Sequence, residues 1–285
     1  MSFLAMIIAL VLLQIWGSGS RVQYDEWLER LQSSLRGLGL SSTTCLLLSI
    51  AAPVTAASIV LALLEPILFG LVWIAATVLI LLYSFGRGDF QVLLARYRSY
   101  CEKEDFEGAY LHAQSELGND AGEQGADSPG EFLLQVQRFM LYEGYQRWFA
   151  VLFYFVVLGP EAALAYRLLH LAISTPGSGE GVAQRLLFIA DWVPVRLLAA
   201  TFTLTGDFVH SRNEFLASFQ NIDEAARSIL FVVGRAAMGM DGSKESGVPE
   251  SFGKVAASQL ADLGALLSRS ATSWLVLISL FVLLL

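Results

Sequence analysis

Residues 191–196 read Asp191-Trp192-Val193-Pro194-Val195-Arg196, and they lie inside an apolar run, residues 186–206, that is long enough to cross a bilayer. A charge at the centre of a membrane-spanning helix costs about 3 kcal/mol on insertion scales, so it is rarely without a role. Pro194 removes one helix hydrogen bond, which is tolerated at membrane depth where neighbours or water satisfy the freed carbonyl. This segment therefore predicts the polar floor of a membrane-embedded cavity.

The composition of the whole chain indicates an integral membrane protein. Of its 285 residues, 55% are hydrophobic and 15% are charged, whereas soluble domains contain about 25% charged residues. The formal net charge of −8 argues against nucleic-acid binding, which requires a basic surface. The two cysteines, Cys45 and Cys101, have no spacing typical of a metal site, and we predict neither a metal nor another cofactor.

Other apolar runs accompany the first one. They cover residues 1–16, 45–64, 66–85, 149–173 and 271–285. The run 149–173 is interrupted at Gly159-Pro160-Glu161. Alternatively, residues 139–158 cross within a continuous helix 131–158, and residues 161–173 start a separate short helix that is re-entrant. We expect run 1–16 to be a membrane helix and not a signal peptide, because no basic residue precedes Arg21.

These runs predict an all-α, polytopic integral membrane protein with about four to six transmembrane or re-entrant helices. We expect one membrane domain over residues 1–285, with two helical cytoplasmic loops at 86–148 and 207–270. The loop 17–44 carries three basic residues and the loops 86–148 and 207–270 carry six each, but 174–185 carries one. If all six runs span, the positive-inside rule places the three long loops in the cytoplasm and 174–185 on the opposite side.

Few charged residues fall inside the apolar runs. Asp191 and Arg196 are five apart, about 140° around a straight helix, so each is predicted either to pair with another helix or to line a cavity for an anionic or zwitterionic ligand. Glu161 follows Gly159-Pro160 and suits a helix N-terminus. Arg167 is predicted either to reach a lipid headgroup or to pair with Asp191.

A second group of residues completes the predicted cavity. Glu143 and Arg147 are spaced for an ion pair on one helix face, next to the start of run 149–173. Tyr166 and Trp192 are the aromatic candidates, with Trp192 alternatively a core residue. The predicted structural positions are Pro194, Gly159 and Pro160.

Three blocks of sequence together resemble the AmpE family. They are Leu81-Leu82-Tyr83-Ser84-Phe85-Gly86-Arg87-Gly88-Asp89-Phe90, then Gly159-Pro160 with Ala165-Tyr166-Arg167, then Asp191-Trp192-Val193-Pro194-Val195-Arg196-Leu197. The resemblance implies a multi-pass protein of the bacterial inner membrane that regulates chromosomal β-lactamase in the antibiotic response. It also implies a link to cell-wall recycling.

The same blocks are distantly similar to the CobD/CbiB family of cobalamin biosynthesis, with Phe153-Tyr154 and Ala165-Tyr166-Arg167 matching its outline. Acids that this family carries shortly before the proline–arginine block fall here at Leu187 and Phe188, so they are missing.

We therefore predict a sensory or modulating membrane protein. Its expected partners are the lipid bilayer, an anionic small molecule or cell-wall fragment, and a protein of β-lactamase signalling. Whether it is an enzyme stays open: the alternatives are a CobD-like ligase or transferase and a small transporter of cell-wall fragments. The sequence shows no phosphate-binding loop or acidic metal cluster for a ligase, and no inverted repeat for a transporter.

Overall fold

The structure, a computed structural model, describes residues 1–16, 23–117, 128–173, 180–240 and 251–284. These residues form helices joined by short turns, without a strand among them. Four of the helices are long and apolar enough to cross a membrane: Ser42–Leu64, Ile67–Ser84, Gly181–Thr205 and Phe252–Leu280. The predicted all-α polytopic membrane fold is therefore confirmed.

The helices are named in chain order. They are α1 (Ser2–Trp16), α2 (Glu26–Gly37), α3 (Ser42–Leu64), α4 (Leu71–Ser84), α5 (Phe90–Glu102), α6 (Phe106–Leu117), α7 (Pro129–Gly144), α8 (Ala150–Leu158), α9 (Pro160–Ile173), α10 (Glu180–Thr205), α11 (Phe208–Gln220), α12 (Ala226–Ala237) and α13 (Phe252–Leu284). A π-helical turn, Tyr145–Phe149, joins α7 to α8.

Side-chain caps define where several helices begin. The Ser41 hydroxyl accepts the Thr44 N–H at the start of α3, at 3.2 Å. The Asp89 carboxylate accepts two N–H groups at the start of α5, and the Asp207 carboxylate does the same for α11. Each cap satisfies backbone donors that the first helical turn leaves open, which stabilises a helix by about 1 kcal/mol.

The chain forms two compact units, and the single membrane domain over residues 1–285 stays a prediction. Unit 1 consists of Met1–Gly88, Gln146–Pro194 and Leu284–Leu285, and unit 2 of Asp89–Tyr145 and Val195–Leu283. The two predicted cytoplasmic loops therefore lie almost entirely in unit 2. Residues 118–127 and 241–250 of these loops lie outside the described residues, and the cytoplasmic placement stays a prediction.

Unit 1 is built around α9. This helix packs against α3, α4 and α8, while α1 packs against α4 and α2 against α3. One apolar cluster joins Leu28 of α2 to Leu164 and Leu168 of α9. Each of these side chains is less than 9% exposed, so the amphipathic α2 contributes its apolar face to this unit.

The apolar run 149–173 does not form one crossing helix. It splits at Gly159, whose φ of +95° suits a glycine, into α8 and α9, about 13 and 21 Å long. α9 alone is shorter than the bilayer core of about 30 Å, whereas α8 continues α7 through the π-helical turn. The Tyr154 ring of α8 stacks on the Tyr166 ring of α9, with centroids 5.2 Å apart, so the chain folds back at Gly159.

One buried cluster brings three helices of unit 1 together. Leu46 near the start of α3, Ala172 near the end of α9 and Ala183 near the start of α10 form one buried cluster. The start of α3, the end of α9 and the start of α10 therefore lie together. The placement of the predicted loops on opposite sides of the membrane stays a prediction, since it required all six apolar runs to span.

Unit 2 packs α12 against α7 and α11, and α5 against α6. Its interior holds a polar link: Gln137, fully buried, accepts from Arg235 Nη1 at 3.1 Å and donates to Gln259 Oε1 at 2.8 Å. The guanidinium groups of Arg138 and Arg235 both lie against the Phe231 ring, 4.8 and 5.5 Å from its centroid. These contacts fix α7, α12 and α13 together, because a buried amide is costly unless it is hydrogen-bonded.

Cys101 of α5 should react poorly with thiol reagents in the folded protein. It is 3% exposed, and burial, with the nearby Glu102 charge, raises the pKa of its thiol to about 11. At pH 8 only about one such thiol in a thousand is ionised, against roughly a quarter for an ordinary cysteine. We expect maleimide to label Cys101 at least about 100-fold more slowly than Ala95→Cys, an exposed position on the same helix.

Two further labelling experiments separate the accessibility of Cys101 from the membrane orientation of loop 86–148. Cys101 should label rapidly once the protein is unfolded in sodium dodecyl sulfate. In intact cells an impermeant maleimide should leave Ala95→Cys unmodified if loop 86–148 is cytoplasmic, and lysis should expose it. Rapid labelling of Cys101 in the folded protein would contradict the packing of α5.

Candidate functional site

Asp191 lies in the part of α10 that belongs to unit 1, and it is 3% exposed. Its Oδ1 atom accepts a hydrogen bond of 2.9 Å from the Tyr166 hydroxyl of α9. One helical position earlier, the Ala190 carbonyl accepts a 2.7 Å hydrogen bond from the Tyr154 hydroxyl of α8. Two tyrosines from the folded-back hairpin therefore hold α10 at Asp191, as a buried polar group requires.

A groove lies beside this contact. It has a volume of about 410 Å³ and opens between α3, α8, α9 and α10. Its lining side chains are apolar apart from the two tyrosines: Leu47, Ile50, Ala51, Val54, Tyr154, Leu158, Ala162, Ala165, Tyr166, Leu169, Leu186 and Ala190. Asp191 itself is not part of the lining.

Arg167 is 4% exposed, and its Nη1 atom donates to Gln146 Oε1 at 3.2 Å. Gln146 is also buried and belongs to the π-helical turn. The predicted pairing of Arg167 with Asp191 stays a prediction. The charge of Arg167 also acts on Asp25, which links α9 to a polar cluster that the sequence did not predict.

That cluster joins Asp25, just before α2, to Arg87, just after α4. The Asp25 carboxylate accepts from Arg87 Nε at 2.7 Å, from Arg87 Nη2 and from the Tyr83 hydroxyl at 2.9 Å. Arg87 Nη1 also donates to the Tyr83 carbonyl at 2.7 Å. A planar guanidinium thus grips a carboxylate with two parallel donors, the strongest form of protein ion pair.

The electrostatics of Asp25 favour its ionised form. Partial burial raises the pKa of its carboxyl, but the hydrogen bonds and charge of Arg87, together with Tyr83 and Arg167, outweigh burial and hold that pKa below its ordinary value. Gln23 Nε2 donates to the carbonyls of Leu82 and Phe85 at 2.9 and 3.0 Å. The segment before α2 is therefore fixed to the end of α4.

Arg147 packs against the glycines that follow α4. Its carbonyl accepts the Gly86 N–H at 3.2 Å, and its Nη1 atom donates to the Gly88 carbonyl at 3.2 Å. A Cβ atom at Gly86 would lie 1.9 Å from Arg147 Cγ. Arg147 is 8% exposed, so this predicted site residue ties the π-helical turn to the Gly86-Arg87-Gly88 segment.

Arg196 belongs to unit 2 and contacts the end of α11. Its Nη2 atom donates to the Ser218 carbonyl at 2.8 Å and to the Asn221 carbonyl at 3.4 Å. The last carbonyls of a helix attract cations, both as acceptors and through the helix dipole. These contacts indicate that Arg196 caps α11, a structural role that the sequence analysis ranked beside ligand binding.

The other predicted residues take simpler positions. Glu161 is half-buried in the first turn of α9, with Oε2 close to Gly159. Trp192 is half-buried and Pro194 is buried within α10, while Pro160 is buried at the start of α9. Glu143 is half-buried near the end of α7. Among the described residues, no group of three or more potential metal ligands lies close enough to hold a metal.

The structure thus brings together Asp191 and Tyr166 in one contact and Arg147 and Arg167 around the π-helical turn. It adds Asp25, Tyr83, Arg87 and Tyr154, which the sequence analysis did not select. One signal could have found Arg87, since an arginine three residues after an apolar helix needs a partner near the membrane surface.

A family model described as "Regulatory signalling modulator protein AmpE" matches residues 1–246. The match includes the three sequence blocks, both tyrosines of the hairpin and Asp191. No curated protein and no solved structure matches the chain.

Proposed function

Because the chain belongs to the AmpE family of regulatory signalling modulators, we propose that it modulates β-lactamase induction from the bacterial inner membrane. In this proposal it reports on cell-wall recycling, through an anionic cell-wall fragment and a protein partner in β-lactamase signalling. The observation that carries the proposal is the family match over residues 1–246, together with the buried Asp191 of α10 within the matched range. The enzyme and transporter alternatives are not carried further, because no described feature favours either.

Asp191 and Tyr166 are the residues that we assign to this function. A carboxylate at 3% exposure inside a span is costly, and an apolar residue would hold α9 against α10 at lower cost. An ionisable group at a position where an apolar one would pack at lower cost supports a role in two alternative states of the hairpin. In one state Tyr166 donates to Asp191; in the other, a ligand group or water replaces the hydroxyl.

The test is β-lactamase induction per unit of membrane-inserted protein, in a strain that lacks the native copy. We expect Asp191→Asn and Tyr166→Phe each to change induction by at least about fivefold at normal abundance, because each alters the switchable contact while sparing the packing. Thr203→Val is the matched control, since it removes a buried hydroxyl of the same helix that bonds only within that helix. Normal induction in both variants would refute the assignment.

Arg196 provides the structural comparison. Arg196→Ala should lower protein abundance and induction in parallel, because the end of α11 loses its cap, and Arg196→Lys should retain part of both. If induction fell while abundance stayed normal, Arg196 would instead be a ligand-binding residue.

A further inference from the structure

We propose that the groove between α3, α8, α9 and α10 binds one acyl chain of a membrane phospholipid as a bound lipid. The inference goes beyond the proposed function, since it concerns what occupies the groove and not whether the chain affects β-lactamase. It rests on the lining of the groove, the fixed position of its aromatic wall and the medium around its open side.

The lining selects an apolar occupant. No charged side chain lines the groove, and both tyrosine hydroxyls are already used on α10, by the Ala190 carbonyl and the Asp191 carboxylate. The tyrosines therefore present their ring carbons, and not their hydroxyls, to the space. An anionic cell-wall fragment would lose its hydration here without gaining a partner, whereas a hydrocarbon chain gains dispersion contacts along the whole wall.

The aromatic wall is fixed before any ligand binds. The Tyr154 and Tyr166 rings are stacked with an interplanar angle of 23°, and each ring is also held at its hydroxyl end. A rigid wall reduces the ordering cost that binding would otherwise carry. Four alanines, Ala51, Ala162, Ala165 and Ala190, leave the space into which a chain fits, and a volume of about 410 Å³ lies within the range of small-molecule sites.

The surroundings of the groove identify where the acyl chain comes from. The groove opens beside α3, an apolar helix of membrane-spanning length. The rim residues Leu47 and Leu158 are 49% and 64% exposed, so the bilayer interior reaches the groove directly. The hydrocarbon available there at high concentration is the phospholipid acyl chain, and we commit to it as the occupant.

The experiment is photolabelling of the full-length protein in nanodiscs that contain a phosphatidylethanolamine with a diazirine on one acyl chain. Labelled peptides are then located by mass spectrometry. We expect labels to concentrate on the groove-lining residues of α3 and α9 in the wild-type protein. Ala51→Phe should reduce labelling of α9 by at least about fivefold, because the ring fills the groove.

The matched control is Ala56→Phe, the same change on the same helix at an exposed position outside the groove. It should leave α9 labelling unchanged. Even labelling around all exposed helix faces of the wild type would overturn the proposal without any variant. Equal labelling of Ala51→Phe and Ala56→Phe would also overturn it, as would displacement of the label by a polyprenyl phosphate but not by unlabelled phosphatidylethanolamine. β-Lactamase induction is measured in parallel, so that a failure of the lipid proposal can be told apart from a failure of the proposed function.

Discussion

Replacing Arg87 by alanine is expected to lower the apparent melting temperature of the detergent-solubilised protein by about 5 to 10 °C. The change removes the bidentate partner of Asp25 and leaves a carboxylate at 31% side-chain exposure beside Tyr83. It also removes the donor to the carbonyls of Tyr83 and Phe85. Breaking an ion pair at this depth costs about 2–3 kcal/mol, between the values for exposed and fully buried pairs.

Arg30→Ala provides the control. Arg30 also pairs with a carboxylate, Glu26 of the same α2 helix at 2.8 Å, but both side chains are about 80% exposed, so its loss should change the melting temperature little.

The pH dependence has a defined sign. Because the pKa of Asp25 is lowered, its stabilising effect is complete at neutral pH and is lost only as pH falls through that lowered value. If the Arg30→Ala and Arg87→Ala variants had the same melting temperature, the result would contradict a stabilising role for the contact between Asp25 and Arg87.

A comparable loss is expected for Gly86→Ala, although this change adds only one methyl group. The new Cβ would lie 1.9 Å from Arg147 Cγ and 2.8 Å from Arg147 Cδ, so the Arg147 side chain must leave its position. It then loses its hydrogen bond to the Gly88 carbonyl. Overpacking and the lost contact together should cost about 3 kcal/mol.

Gly37→Ala is the matched control, because a Cβ at the end of α2 meets nothing within 4 Å. The coupling with Arg147 gives a second measurement. Arg147→Ala removes two of the three clashing atoms, so the cost of the double variant should be smaller than the sum of the single costs. Additive costs would show that Gly86 is required for another reason.

The sequence predicted the fold class well, because apolar length alone distinguishes α3, α4 and α10 from soluble helices. It could not decide the run 149–173, since total hydrophobicity does not reveal whether a glycine bends the backbone. Only the contact of Tyr154 with Tyr166 shows that the chain turns back.

The candidate site was predicted in part for a similar reason. Asp191 stood out because a charge in an apolar run is rare, and Tyr166 was selected beside Arg167. Asp25 was not selected, because it lies in a polar segment where any acid is ordinary, and its partner Arg87 is 62 positions away. Arg196 was selected as a charge in an apolar run, but the carbonyls of Ser218 and Asn221 that it contacts are backbone groups, which no side-chain pattern can indicate.

The discontinuity of unit 1 has a consequence for the order of events during synthesis. α3 and α4 are complete about 90 residues before the end of α9, the helix against which both pack. At about 5–20 residues per second, the ribosome needs roughly 5–20 s to supply it. During this interval α3 and α4 lack α9 as a neighbour. The surfaces that will contact α9 must therefore be covered by lipid or by the insertion machinery until α9 is synthesised.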